Sequence, residues 1–233
     1  MVEKLGRVPT GIPGLDKLIE GGYEPGSIIL LNGAPGTGKT IACGQWADAL
    51  TKLREKALFF CFEQSPDEIK KQLAQFGIDL TGAAFYSARD MKYDQMLGKK
   101  PQNPRDIIQL LLEKTKKLGA KYVIIDSVSS IRIEDGLEAR LIVKQLIDGL
   151  KKLGVTALLT TESIEGGRID DLTPFLADAE IVLHYSSIGS RIFGNIEIRK
   201  MRFTNHARGI FDCVMDKEGL KVLANKGKTV RMK

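Results

Sequence analysis

Eight consecutive residues, Gly33-Ala34-Pro35-Gly36-Thr37-Gly38-Lys39-Thr40, fill every fixed position of the pattern G-x-x-x-x-G-K-[ST]. They follow the apolar run 28–31 and lead into a helical pattern, so the chemistry on offer is the holding of polyphosphate. Glycines let the backbone turn back with its N–H groups facing inward, and the helix that follows adds the partial positive charge of its N-terminus. The expected nucleotide seat is Gly33, Ala34, Pro35, Gly36, Thr37, Gly38, Lys39, Thr40 and Ile41. Lys39 would reach the β and γ oxygens of ATP, and Thr40 would place its hydroxyl on Mg²⁺.

Three acids close apolar strand patterns downstream. Asp126 ends the run 122–126 and fits the acid that holds Mg²⁺ opposite the phosphate loop. Glu63 ends the run 57–62 and is the leading candidate to orient or deprotonate the attacking water, because strand ends of a parallel sheet converge on the ligand. Its competing reading is a helix N-terminal acid favoured by the dipole. Glu162, at the end of 155–161, is the alternative base.

Two cations, Lys200 and Arg202, fall on one face of a later strand, with His206 close behind. They read either as solvated edge charges or as positive charge supplied to a γ-phosphate across a subunit boundary. The two histidines of the chain lie far apart and carry no ligand spacing, so no transition-metal site is expected.

These residues need a sheet to hold them. A glycine-rich segment, 10–16 with Gly21-Gly22 and Pro25-Gly26, precedes the loop and is expected over the outer edge of that sheet. Ala42, Trp46, Ala49 and Leu53 recur at helical spacing. Ser65-Pro66-Asp67-Glu68 is a capping box with proline at the first helical position, and Ile69, Leu73 and Phe76 line the helix it opens. A strand over 83–87, a polar surface loop over 89–102 and an Asn103-Pro104 helix cap follow. Ile107, Leu111 and Leu118 form one helix face. Leu141, Leu146, Ile147, Leu150 and Leu153 form another.

Strands alternating with helices of these lengths mean βαβ units and a parallel sheet. Beyond Ile181 the pattern changes to period-two strands, 179–185, 192–202, 210–215 and 220–223, with short turns. The layout is one α/β domain: a leading segment 1–26, a nucleotide-binding core 27–185, an antiparallel extension 186–223 and a basic tail 224–233.

The bulk properties limit what this domain does. At 233 residues the chain suits one full-sized core. Its hydrophobic share of 43% is ordinary for a globular protein, and no apolar run approaches the roughly 20 residues a membrane span needs. Residues 1–9 lack the layout of a signal peptide. Three scattered cysteines, Cys43, Cys61 and Cys213, have no metal spacing and suit a reducing cytoplasm, and Cys43 and Cys61, in apolar helix and strand patterns, read as buried inert thiols. Lys plus Arg at 35 against Asp plus Glu at 29 gives a net charge of +6, too mild to specify nucleic acid.

Eight stretches together carry a resemblance: T-G-I-P-G-L-D (10–16), G-G-Y-E-P-G (21–26), the phosphate loop (33–40), F-E-Q-S-P (62–66), F-G-I-D-L (76–80), V-I-I-D-S-V-S-S (123–130), T-T-E-S-I (160–164) and K-M-R-F-T-N-H (200–206). Over nearly the whole chain the sequence resembles the KaiC family of the RecA-like ATPases, in its single-domain, archaeal form. The resemblance implies a RecA-like core, a homo-oligomeric ring, commonly of six subunits, and ATP with Mg²⁺ seated between neighbours. It places Lys200, Arg202 and His206 where they reach the neighbour's nucleotide. Clock members of the family carry two such domains where this chain has one, so the phosphorylating second ring is missing. They also have a paired Glu-Glu where this chain has Glu63-Gln64, which implies slow turnover. Pro174-Phe175 holds the place of their phosphorylated Ser-Thr pair, which argues against autophosphorylation.

The leading expectation is a nucleotide-gated regulatory ATPase whose protein partner the sequence does not name. A RadA-like recombinase binding single-stranded DNA is the alternative, through 129–136 and 163–174. Those stretches hold Arg132 and Arg168 but no aromatic platform, and Glu134, Asp135, Asp170 and Asp171 would repel phosphates. A nucleotide-gated scaffold without turnover is the third reading.

Overall fold

The computed structural model describes residues 6–91, 103–131, 137–162, 173–188 and 191–223. The centre of the fold is β1 (Ile28–Gly33). To one side lie β5 (Thr156–Glu162), β4 (Tyr122–Asp126), β2 (Ala57–Cys61) and β3 (Ala83–Ser87), all parallel. To the other side β6 (Ala179–Ile188) is still parallel to β1, and β7 (Arg191–Met201), β8 (Ile210–Asp216) and β9 (Gly219–Val222) continue antiparallel. The result is a nine-stranded sheet in the order β3-β2-β4-β5-β1-β6-β7-β8-β9.

The continuous apolar runs follow from burial on both faces. Ile29, Leu31, Phe59, Cys61, Ile124 and Leu158 join the core beneath α1 (Leu15–Leu18), α2 (Lys39–Lys52) and α3 (Pro66–Ala74). Their neighbours Ile28, Leu30, Leu58, Phe60, Val123 and Leu159 join the core beneath α4 (Pro104–Lys117) and α5 (Leu137–Lys152). A short α6 (Thr173–Leu176) leads into β6. Among the described residues no helix is long and apolar enough to cross a membrane.

Local chemistry explains most boundaries. Ser65 and Glu68 exchange both bonds of a capping box: Glu68 N–H donates to Ser65 Oγ at 3.3 Å and Ser65 N–H to Glu68 Oε2 at 2.8 Å. Asn103 Oδ1 accepts from Asp106 N–H at 3.1 Å and starts α4.

Several expectations need correction. β2 stops at Cys61, one residue early, and Phe62 N–H supplies the last bond of the ladder to the Asp126 carbonyl at 3.2 Å. Leu118 lies past the last turn of α4 and is exposed, whereas Leu111 is buried as expected and Ile108 joins it on the core face. Leu53 and Leu141 are exposed as well. Residues 88–91 are helical, where a loop is expected: Ser87 and Asp90 hydrogen-bond each other in a cap, and Met91 is buried. The rest of that loop, including Gly98-Lys99-Lys100-Pro101, lies outside the described residues. The leading segment reaches the outer strand β9, where Val222 N–H meets the Pro13 carbonyl at 2.8 Å. It also packs on α2, close enough that a Cβ at Gly11 would overlap the Gln45 carbonyl.

Asp178 braces the start of the sheet. Its Oδ2 accepts from Ile28 N–H at 3.0 Å, and its Oδ1 from Lys151 Nζ at 2.8 Å and Arg202 Nη1 at 3.2 Å. Burial alone would push this carboxyl up, but the bonds from Lys151, Ile28 and Arg202 more than offset it and hold it below its ordinary value. A carboxyl depressed in the folded state stabilises at pH above its unfolded value, and that contribution is lost as pH falls through the native value. Asp178→Asn is expected to cost roughly 1–3 kcal/mol at neutral pH and to flatten the acid side of the stability profile, measured by urea unfolding between neutral and acidic pH.

Candidate functional site

β1 ends at Gly33, and the chain then wraps a loop onto the start of α2. Gly36 and Gly38 adopt φ of +81° and +97°, a region that side chains rarely enter. A Cβ at Gly33 would lie 2.7 Å from Thr37 Oγ1 and 2.8 Å from the Leu183 carbonyl. Gly38 is the N-cap of α2 with no side-chain cap, so the first N–H groups of the helix are left for a ligand.

Lys39 folds back over this loop. Its Nζ donates to the Gly33 carbonyl at 2.8 Å and the Ala34 carbonyl at 3.1 Å. An ammonium carries three protons, so one remains for a phosphate oxygen.

Thr40 Oγ donates to Asp126 Oδ2 at 2.7 Å, and Thr160 Oγ donates to Asp126 Oδ1 at 2.6 Å. With its proton committed to the carboxylate, the Thr40 oxygen keeps its lone pairs for a cation. Hard oxygen donors of this kind, few in number, suit Mg²⁺, which keeps several waters and shares phosphate oxygens.

Glu63 stands on the same cleft. Ser127 Oγ lies 2.7 Å and Ser130 Oγ 2.6 Å from Glu63 Oε1, and the two hydroxyls lie 2.8 Å apart. Three short edges share only two hydroxyl protons, so both protons turn to the carboxylate when it is ionised. The bonds from Ser130 and Ser127 accordingly lower the Glu63 pKa against a smaller opposing effect of burial, and Lys39 adds to the lowering. Both serines address Oε1, leaving Oε2 for a water.

The cleft, about 270 Å³, is lined by Lys39, Thr40, Ile41, Glu63, Asp126 and Glu162 among others. Gln72 also lines it, with a buried Oε1 that has no hydrogen-bond partner among the described residues. Two side chains, one from β6 and one from β8, cover the loop. Tyr185 Oη donates to the Gly36 carbonyl at 2.7 Å, and the Met215 methyl approaches Gly38.

Lys200, Arg202 and His206 lie elsewhere. Gly33 pairs with Leu183 at the exit end of β1, whereas Ile29 pairs with Ala179, which faces Met201. Four residues of strand, about 13 Å, therefore separate the two ends. Lys200 Nζ reaches further away still, to the carbonyls of Ala177 at 2.7 Å and Phe175 at 3.3 Å. Arg202 is exposed and contacts Asp178 and the Phe175 carbonyl. Burial and then Arg202 hold the Lys200 ammonium below its ordinary pKa. His206 Nδ1 sits 3.0 Å from the Ala207 carbonyl.

Thus the structure brings the loop, Asp126, Glu63 and Glu162 into one cleft and leaves the later cations outside it. Thr160, Ser127, Ser130 and Tyr185 are additions. The first three sit in the T-T-E and D-S-V-S-S stretches, where hydroxyls beside strand-end acids were a readable signal. The three cysteines are buried and unpaired; burial pushes Cys61 up to about 12 and Cys213 to about 11, so neither is a ready nucleophile. The stretches 132–136 and 163–172, with Arg132, Glu134, Asp135, Arg168, Asp170 and Asp171, lie outside the described residues.

A glycine loop between strand and helix, facing strand-end acids across a parallel sheet, defines the P-loop ATPase class. Comparison with known proteins narrows this: a family model described as the KaiC ATPase matches residues 8–227, and the chain belongs to the KaiC family. A UPF0273 protein of Methanocaldococcus jannaschii is 29% identical, covering 94% of this chain and 97% of its own length. The circadian clock oscillator protein KaiC of Parasynechococcus marenigrum is 29% identical over 93% of this chain, which spans 44% of that protein. The crystal structure of a KaiC-like protein from Pyrococcus horikoshii superimposes with a TM-score of 0.80 at 29% identity, covering 93% of this chain and 98% of that one. The RecA-like architecture read from the sequence therefore stands.

Ser127→Ala combined with Ser130→Ala is expected to raise the Glu63 pKa toward the ordinary carboxylate value, measured by carbon-detected NMR titration of the side chain. An unmoved titration would show that the hydroxyls do not set its charge.

Proposed function

We propose that the chain binds ATP in the loop cleft, hydrolyses it with Mg²⁺, and does so in a ring whose subunits share each site. The observation that carries this reading is the convergence of Lys39, the Thr40–Asp126 pair and an ionised Glu63 on one cleft, with Lys200 and Arg202 at the far end of the same sheet.

The roles follow from the geometry. Loop amides and Lys39 hold the β and γ oxygens. Thr40 and Asp126 hold the metal, which when bound would neutralise charge on the phosphates. Thr160 fixes the direction in which Asp126 points. Glu63, kept ionised by its serines, takes the proton of the attacking water through Oε2, and Glu162 is the second acid at hand. Lys200 and Arg202 cannot serve the cleft of their own chain, whereas a head-to-tail neighbour would bring them to the next one, with His206 beside them. Lys200 suits this task because an arriving phosphate would relieve the repulsion from Arg202. A switch in neighbour contacts with nucleotide state is a natural signal to a protein partner, and this is the regulatory role we assign. A cytoplasmic setting matches the unpaired thiols.

Glu63→Gln is expected to keep ATP binding and lose about 10²–10⁴-fold in turnover, measured by phosphate release; near-normal turnover would move the base to Glu162. Arg202→Ala is expected to lose turnover yet regain part of it when mixed with Lys39→Ala chains, since mixed neighbours rebuild some complete sites. No recovery on mixing would contradict a shared site.

A further inference from the structure

Phe203 is 80% exposed and holds a left-handed backbone, φ 59°. Few bulky residues adopt that conformation, and here it is imposed from outside. Arg7 Nη2 donates to the Phe203 carbonyl at 2.9 Å, and Arg7 Nη1 to Thr204 Oγ at 2.8 Å. Arg7 is itself anchored by Glu20 at 3.2 Å and Glu24 at 3.0 Å. On the other side, Arg202 N–H binds the Asp178 carbonyl at 2.9 Å. The turn is therefore held from both sides, and it presents an aromatic ring to solvent at a backbone strain that glycine would avoid.

We propose that Phe203 is the apolar anchor by which one copy of this chain docks on the next. The occupant is a second copy because of what flanks the ring. Lys151, Lys200 and Arg202 gather around Asp178 on the Phe203 side, while Glu63, Asp126 and Glu162 line the cleft at the other end of the sheet. The two groups are opposite in sign, with Glu20 and Glu24 on the Phe203 side paired to Arg7 and with Lys39 among the acids of the cleft. The rim of that cleft also offers an apolar seat: Tyr185, 55% exposed, and Met215, 40% exposed, stand over Gly36 and Gly38. A ring on one end and a seat on the other make a head-to-tail contact that a single chain cannot satisfy. Exposed aromatics buried in this way are frequent hot spots. This inference rests on the shared-site reading and adds the residue that holds the neighbour in register.

The test is sedimentation of the full chain with ATP and Mg²⁺, for the wild type, Phe203→Gly, Phe203→Ser and Phe203→Leu. Phe203→Gly relieves the backbone strain, so its melting temperature without nucleotide should rise by about 2–4 °C, while the protein concentration needed for assembly rises at least about tenfold. Phe203→Ser should also lose assembly, and Phe203→Leu should largely keep it. Assembly of Phe203→Gly and Phe203→Ser at wild-type concentration would overturn the anchor and leave the shared site standing. The same holds if both assemble normally but lose affinity for ATP, which would assign the ring to the nucleobase. A wild type that stays monomeric with ATP and Mg²⁺ would overturn both readings.

Discussion

The bond from Thr40 to one oxygen of Asp126, matched by Thr160 on the other, is the constraint on which the site depends. Thr40 belongs to the helix after β1, Asp126 ends β4, and Thr160 sits on β5, the strand between them. One carboxylate therefore fixes three consecutive parts of the sheet edge relative to one another. The pairing of β1 with β5 and of β5 with β4 sets the spacing, and the side-chain bonds set the direction. A cation placed there meets the Thr40 lone pairs and the Asp126 charge together, without either group having to reorganise.

Glu63 depends on the same edge by a different route. β2 pairs with β4 so that Cys61 faces Asp126, and Phe62 N–H then bonds the Asp126 carbonyl. The strand stops there and delivers Glu63 to the serines that follow Asp126. Burial of this acid is slight, so its charge state is decided by hydrogen bonds and not by desolvation. An acid kept ionised and open to water is suited to proton transfer from water, whereas a deeply buried one would be neutral.

Much of this was readable from residues alone, for physical reasons. The phosphate loop is a local pattern in which each glycine answers a backbone demand. Strand-end acids were visible because two-sided burial makes parallel strands into uninterrupted apolar runs that stop at a charge. The capping box at Ser65 was visible for the same local reason. The partners were harder. Thr160 lies 34 residues from Asp126, and Ser130 lies 67 from Glu63, so their bonds exist only once the strand order is known. Periodicity misjudged Leu118 and Leu141 because a helix near its end, or at the margin of a sheet, exposes part of a face that looks apolar in sequence. The remoteness of Lys200 and Arg202 from the loop was likewise a matter of strand direction. Antiparallel β7 returns its last residues to the entrance of β1, which sequence spacing does not reveal.

The central claim is that the loop amides, Lys39 and the Thr40–Asp126 pair form a seat for a metal-bound triphosphate. The most direct measurement is an NMR titration of the backbone amides of 33–41 with ATP, with and without Mg²⁺. The account predicts large downfield shifts confined to the loop and the first turn of α2, and saturation at lower ATP concentration when Mg²⁺ is present. Amides in this stretch that stay unmoved by ATP and Mg²⁺, in protein that is otherwise folded, would contradict it.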